Sequence, residues 1–286
     1  MITPSSLSSG SKIALVAPAR KVAEDDIAFA VEYIRQRGFV PIYDECLFLS
    51  YNQFAGNDEQ RASVLQHYLD ADDIDAIMCV RGGYGTVRII DRLDFDKFLQ
   101  KPKWIVGYSD VTVLHAKMQS IGVESLHATM PINFQDNSKQ ALDTLFDALC
   151  GKEIKYDLPQ QTLDILSKMK GEVVGGNISV LYSLLGSDIF PDVEGKVLFL
   201  EDLDEYLYHI DRMMMAFQRA GIFDKIGGLI IGGLTKMHDN AIPFGMTAEE
   251  IISEKTKDKN IPTVFNFPAG HINDNRAIIL GRRVGN

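Results

Sequence analysis

Cysteine is scarce in this chain. Its three thiols, Cys46, Cys79 and Cys150, are odd in number and nowhere form C-x-x-C, which argues against a disulfide framework or a cysteine zinc site. Cys79 lies in the apolar run 77–80 and reads as a buried structural thiol. Positive charge is also in deficit: 29 Lys and Arg stand against 39 Asp and Glu, a formal net charge of -10. With no basic run to interrupt it, that balance disfavours nucleic acid or an anionic membrane surface as partner. No stretch approaches the roughly 20 apolar residues of a membrane span. Residues 1–12 are polar and Ser-rich, unlike a signal peptide, so a reducing cytoplasm is the expected compartment. Two motifs are missing as well. The glycine turn at 82–85 lacks Gly-Lys-Ser/Thr, and G-x-G-x-x-G spacing fails at Arg88; His-Glu-x-x-His is nowhere present. A nucleotide loop and a metal peptidase are therefore disfavoured, and neither cofactor nor metal is expected.

What is present describes a globular protein with a full core: 286 residues, 46% hydrophobic and 24% charged. Strand and helix alternate through the first half. Residues 12–17, 40–43, 75–80 and 104–107 read as strands, and 25–36 as a helix stopped by Gly38. Asn57 and Gln60 form a capping box that opens a helix to about Leu69. Strands spaced by helices predict a parallel sheet covered on both faces, with ligands bound outside the carboxyl ends of its strands. The pattern loosens from 129 to 170, where only a helix near 138–150 stands out. Residues 136–170 are read as a connection between a first domain, 1–135, and a second, 171–286. The second predicts a helix to about Leu185, a strand at 196–200 and a helix at 205–220. Further strands are expected at 226–231, 263–267 and 277–280.

Ser109 is the chief candidate for chemistry. It stands in Gly107-Tyr108-Ser109-Asp110, a sharp turn between a strand and the helix predicted from Val111. A hydroxyl there faces unpaired N–H groups at a helix start, as in a nucleophile elbow. Val111 occupies the second glycine position of G-x-S-x-G, and a serine after a strand is also an ordinary N-cap. A serine nucleophile needs a base. Of six histidines, His67 reads as solvated, and His209 as packed or facing water. His115 lies about 240° around the helix from the elbow and points away. His271 follows a strand through Pro268 and Gly270, and His127 sits comparably after 124–126 as a rival base. Glu201 and Asp202 come directly after the strand at 196–200. They are either acids favoured by a helix dipole or one of them orients the base.

Several of these pieces belong together. Residues 54–62 (FAGNDEQRA), Arg81-Gly82-Gly83-Tyr84-Gly85 and Gly107-Tyr108-Ser109-Asp110 resemble motifs of the LD-carboxypeptidases, the muramoyltetrapeptide carboxypeptidase family of serine peptidases. So do Gly175-Gly176-Asn177, Leu200-Glu201-Asp202 with Glu205, and Gly270-His271 with Asn275 and Gly281. The resemblance runs in order along nearly the whole chain. It implies an α/β fold with an N-terminal parallel-sheet domain, a C-terminal mixed sheet-and-helix domain, and an active site in the cleft between them. It also implies a triad of Ser109, His271 and Glu201, a cytoplasmic homodimer, and a murein tetrapeptide substrate cut before its terminal D-alanine. The backbone N–H groups of Gly83 and Asp110 are the expected oxyanion donors. Arg81 could hold the terminal carboxylate or be a structural ion pair. Two departures stand out: 127–131 reads HATMP where the family usually shows His-Gly-Pro, and few residues follow Gly281. The same scaffold also serves immunity hydrolases that cleave peptidyl-adenylate antibiotics with an aromatic stacked on adenine. Trp104, the sole tryptophan, lies in a predicted core strand, which disfavours that use. A non-catalytic small-molecule or nucleotide-binding module is the distant third reading.

Overall fold

A computed structural model describes residues 1–283. Among them ten strands form two sheets: β1 Lys12–Val16, β2 Val40–Ile42, β3 Ala76–Cys79, β4 Trp104–Gly107, β5 Ser125–His127, β6 Val173–Asn177, β7 Val197–Leu203, β8 Gly228–Thr235, β9 Thr263–Val264 and β10 Ile278–Leu280. The first sheet runs β10-β5-β4-β3-β1-β2 and the second β6-β7-β8-β9. Every pairing is parallel except β10 on β5.

The apolar runs of β1, β3 and β4 follow from burial on both faces. Ile13, Leu15, Met78, Trp104 and Val106 turn to one side, where helices Glu24–Gln36 and Lys139–Leu149 cover them. Ala14, Val16, Ile77, Cys79 and Ile105 turn to the other, beneath helices Asp58–Asp70 and Thr112–Ser120. Each such side chain removed from water contributes about 1.5–3 kcal/mol before ordering entropy is counted. The predicted capping box is formed in both directions, Gln60 N donating to Asn57 Oδ1 and Asn57 N to Gln60 Oε1, each 2.9 Å.

Several elements differ from the sequence expectation. The last strand does not extend the second sheet: β10 crosses back and pairs antiparallel with β5, Ile278 opposite His127. Residues 136–170 hold a second helix, Gln160–Leu166, whose Leu166 packs on the far face of the second sheet. β7 is longer than 196–200, so Glu201 and Asp202 lie inside it rather than beyond its end. The second sheet is parallel throughout, with helices Ile178–Leu184, Leu207–Arg219 and Ala248–Thr256 on one face. No helix among the described residues is long and apolar enough to cross a membrane.

Candidate active site

At the carboxyl edge of the first sheet the chain leaves β4 through a single 3-10 turn, Ser109–Val111, before helix Thr112–Ser120. Ser109 has φ +64°. For a non-glycine residue that left-handed conformation costs about 1–2 kcal/mol, so its neighbours must hold it there. The turn is pinned through Asp110, whose buried carboxylate accepts from Thr86 N at 2.9 Å and Thr86 Oγ1 at 2.6 Å. Burial raises the Asp110 pKa above the ordinary aspartate value, against the pull of those Thr86 bonds. The N-cap position of the turn is Tyr108 and no side chain caps it, so the Ser109 hydroxyl is not a cap. Gly82 lies against it: a Cβ there would come within 3.0 Å of Ser109 Cβ and 3.4 Å of Asp110 N. Any side chain at 82 would crowd both the hydroxyl and the N–H behind it.

Residues 54–62 gain a physical role from the same edge. Arg61 is fully buried and donates to the carbonyls of Pro18 and of Gly85, the latter at 2.9 Å, while its guanidinium pairs with Asp58 and lies 4.9 Å over the Phe54 ring. It ties the loops after β1 and β3 together beneath the serine turn.

The second sheet supplies the acid–base pair. Glu201 is 0% exposed, and its Oε2 accepts from His271 Nδ1 at 2.6 Å and from His271 N at 3.1 Å. A carboxylate only accepts, so Nδ1 carries the ring proton and Nε2 is left as the basic nitrogen. Gly270, at φ +98°, makes the approach possible, since a Cβ there would stand 2.7 Å from Glu201 Oε2. Gly270 N donates to Asn275 Oδ1 at 2.7 Å, and Thr235 Oγ1 donates to the His271 carbonyl at 2.9 Å, fixing both ends of the turn. Burial opposes charge on both partners. Their mutual attraction outweighs it, holding Glu201 below the usual carboxylate range and raising His271 above an ordinary histidine.

The two edges meet at Tyr108, whose ring centroid is 4.8 Å from that of His271. The residue before the nucleophile candidate thus packs against the base candidate. His271 bonds to Glu201 and Thr235 and not to Ser109; such catalytic contacts commonly tighten only when substrate is seated.

The rival histidine sits elsewhere in kind. His127 lies in β5, 0% exposed, with neither ring nitrogen hydrogen-bonded, 4.9 Å from Phe199 and 5.9 Å from Tyr108. Burial pushes it down to about 4, leaving it neutral. His115 does not point away from the elbow as its helical position predicts: it is buried with Nε2 on Gly107 O, at the start of the turn, at 2.8 Å and Nδ1 on Ser125 Oγ at 2.9 Å, so both ring nitrogens are occupied and neither meets Ser109. His209 is paired with Glu205. Arg81 donates to the Lys21 carbonyl at 3.2 Å, and Gly83 packs against the Arg20 side chain. Sequence reasoning missed Tyr108, Thr86 and the carboxylate of Asp110, whose roles depend on loops that meet only in the fold. No group of three His, Cys, Asp or Glu among the described residues is placed to hold a metal ion.

Known proteins match this chain in both sequence and fold. The profile of the LD-carboxypeptidase N-terminal domain matches residues 13–128, and that of its C-terminal domain matches residues 170–285. The chain is 29% identical to the probable murein peptide carboxypeptidase of Bacillus subtilis (strain 168), over 98% of this chain and 90% of that protein. It superposes on the muramoyltetrapeptide carboxypeptidase of Oxalobacter formigenes with a TM-score of 0.82 at 26% identity, covering 96% of this chain and 94% of the other. The microcin C7 self-immunity protein MccF, solved with aspartyl sulfamoyl adenosine, gives a TM-score of 0.86 at 20% identity, over 99% and 95%. At that identity the likeness is one of fold.

Proposed function

Because this chain belongs to the LD-carboxypeptidase family of serine peptidases, we propose that it releases the terminal D-alanine from murein tetrapeptide by a Ser109–His271–Glu201 triad. The observation that carries this reading is the buried Glu201–His271 pair, 2.6 Å apart, packed through Tyr108 against a serine held at φ +64°. In the proposed reaction Ser109 Oγ attacks the carbonyl that joins the L-centre of the diamino acid to D-alanine. His271 Nε2 takes the hydroxyl proton and returns it to the alanine nitrogen as the C–N bond breaks. Glu201 keeps the imidazole in the Nδ1–H tautomer and stabilises its cation. Water then attacks the acyl-serine by the same route, restoring the hydroxyl.

The tetrahedral oxyanion is assigned to the N–H groups of Asp110 and Gly83, a pair for which loss of one donor typically costs about 3–4 kcal/mol in the barrier. Arg81 is the proposed partner of the substrate's terminal carboxylate, which a guanidinium matches with two parallel bonds. We assign the nucleophile to a lobe of residues 1–135 and the base and its carboxylate to one of 171–286, joined by 136–170. The expected setting is the cytoplasm and the expected form a homodimer, one copy acting on one peptide.

Incubation of the purified protein with murein tetrapeptide, followed by mass spectrometry, tests the substrate. The expected product has lost one alanine residue. Turnover of an aminoacyl-sulfamoyl adenosine with no loss of alanine from the peptide would instead select the immunity reading.

A further inference from the structure

The acid beside Glu201 faces a different task. Asp202 is 2% exposed, and all its hydrogen bonds converge on one patch: Oδ1 accepts from Asn177 Nδ2 at 2.9 Å and from Leu203 N at 2.8 Å, and Oδ2 from Ser179 N at 2.9 Å. Asn177 closes β6 and caps helix Ile178–Leu184, its Oδ1 accepting from Val180 N at 3.1 Å. Its own backbone N–H donates to Thr112 Oγ1 at 3.0 Å. Thr112, fully buried, opens the helix that follows the Ser109 turn. A relay therefore runs from the strand of Glu201 to the helix of Ser109.

Two further features serve this relay. The β7–β8 register shifts between Leu200 and Asp202. An irregularity of that kind re-aims side chains, and it lies where Glu201 turns to His271 and Asp202 to Asn177. At Gly176 a Cβ would stand 2.5 Å from Thr112 Oγ1, so only glycine lets β6 approach so closely.

We propose that Asp202 and Thr112 are positioning residues, acting through Asn177 to set the separation of Ser109 from His271. The proposal rests on the nucleophile and base assignments above. Ser109 is held through Asp110 and Thr86 and His271 through Glu201 and Thr235. Asn137 and Ser138 tie residues 272–274, and β10 pairs with β5, but these ties do not reach the helix of Ser109, on which the relay ends. The ring contact with Tyr108 is apolar and non-directional, so it leaves the spacing soft. A hydrogen-bonded relay is directional, and a misplacement of about 1 Å at such a site can cost about 10²-fold in rate.

The test uses the full-length protein with Thr112→Val, Thr112→Ser, Asp202→Asn and the double variant Thr112→Val/Asp202→Asn. Two rates are read: D-alanine release, and covalent labelling of Ser109 by a fluorophosphonate. The second needs no knowledge of the substrate. Valine keeps the shape of threonine but cannot accept the Asn177 N–H. We expect kcat and labelling rate to fall at least about tenfold, with KM changed less than about twofold and the folded fraction intact. Thr112→Ser should keep at least about half the activity. The double variant should be no slower than the worse single one, as residues in one network behave. Wild-type rates in Thr112→Val, or losses that multiply in the double variant, would overturn the relay. Failure of wild-type protein to release D-alanine while Ser109 still labels would overturn the substrate reading and leave the relay to be judged by labelling. No labelling of the wild type would overturn both.

Discussion

The two sheet edges that meet at the candidate site hold their functional groups by opposite means. The first edge keeps an uncharged hydroxyl in place by distorting backbone, with Ser109 at φ +64° and its turn braced by buried Asp110. The second has no left-handed backbone at Glu201, only a shift of strand register, and relies instead on buried charge, a carboxylate at 0% exposure matched by one imidazole. The difference teaches where each edge is fragile. Removing the serine hydroxyl deletes chemistry and leaves the brace intact. Removing the imidazole strands an anion in the core, a loss of about 3–5 kcal/mol for buried pairs of this kind.

Ser109→Ala and His271→Ala sharpen that contrast most. Both should lower kcat by about 10⁴-fold or more. Ser109→Ala should melt within about 2 °C of the parent, and His271→Ala about 6–15 °C lower. The destabilisation of His271→Ala should shrink in acid, where Glu201 takes up a proton and is no longer a stranded charge. Equal melting temperatures for the two variants would break the comparison. Calorimetry at pH 7 and pH 5 decides it.

A smaller effect is expected from Glu201→Gln, which keeps the shape of the pair but removes its charge. The proposed mechanism needs neutral His271, so kcat/KM should rise with pH through the histidine's pKa, with a midpoint above the ordinary value near 6.5. Without the Glu201 charge that midpoint should move down, and kcat should fall about 10²–10⁴-fold. A pH profile whose acid limb does not move would separate Glu201 from the base.

The smallest effect belongs to His127, which is enclosed within β5 and forms no ion pair. Buried neutral and pushed down to about 4, it binds its proton more weakly than in the unfolded chain. This group's contribution should thus be complete above about pH 6.5 and be lost as pH falls toward 4, on the order of 3 kcal/mol. His127→Leu should flatten that loss in denaturant titrations while keeping activity within about fivefold. A larger fall in kcat than that of His271→Ala would exchange their roles.

Much of this was legible in the chain because it is local. The Asn57–Gln60 box and the strand ends before Gly82 and Ser109 depend on residues a few positions apart. The pairing partner of β10 was not legible: antiparallel addition to β5 joins residues about 150 apart in a sheet begun at residue 12. Nor was the fate of His127, since its position after Glu124-Ser125-Leu126 resembled that of His271 until packing enclosed it. Glu201 was recognisable as an acid near a strand end. The register shift that separates its direction from that of Asp202 comes from β8, which the local pattern around 201 does not contain.

The return of β10 orders events during synthesis. Until residues 278–280 have been made, β5 presents an open strand edge. Domains otherwise tend to form from the amino end as the chain emerges. Here the lobe bearing the hydroxyl reaches its final shape only after the lobe bearing the imidazole has been translated. A nascent chain that lacks residues 278–280 therefore has an unfinished first sheet, and the last of the described strands to be made is the one that completes it.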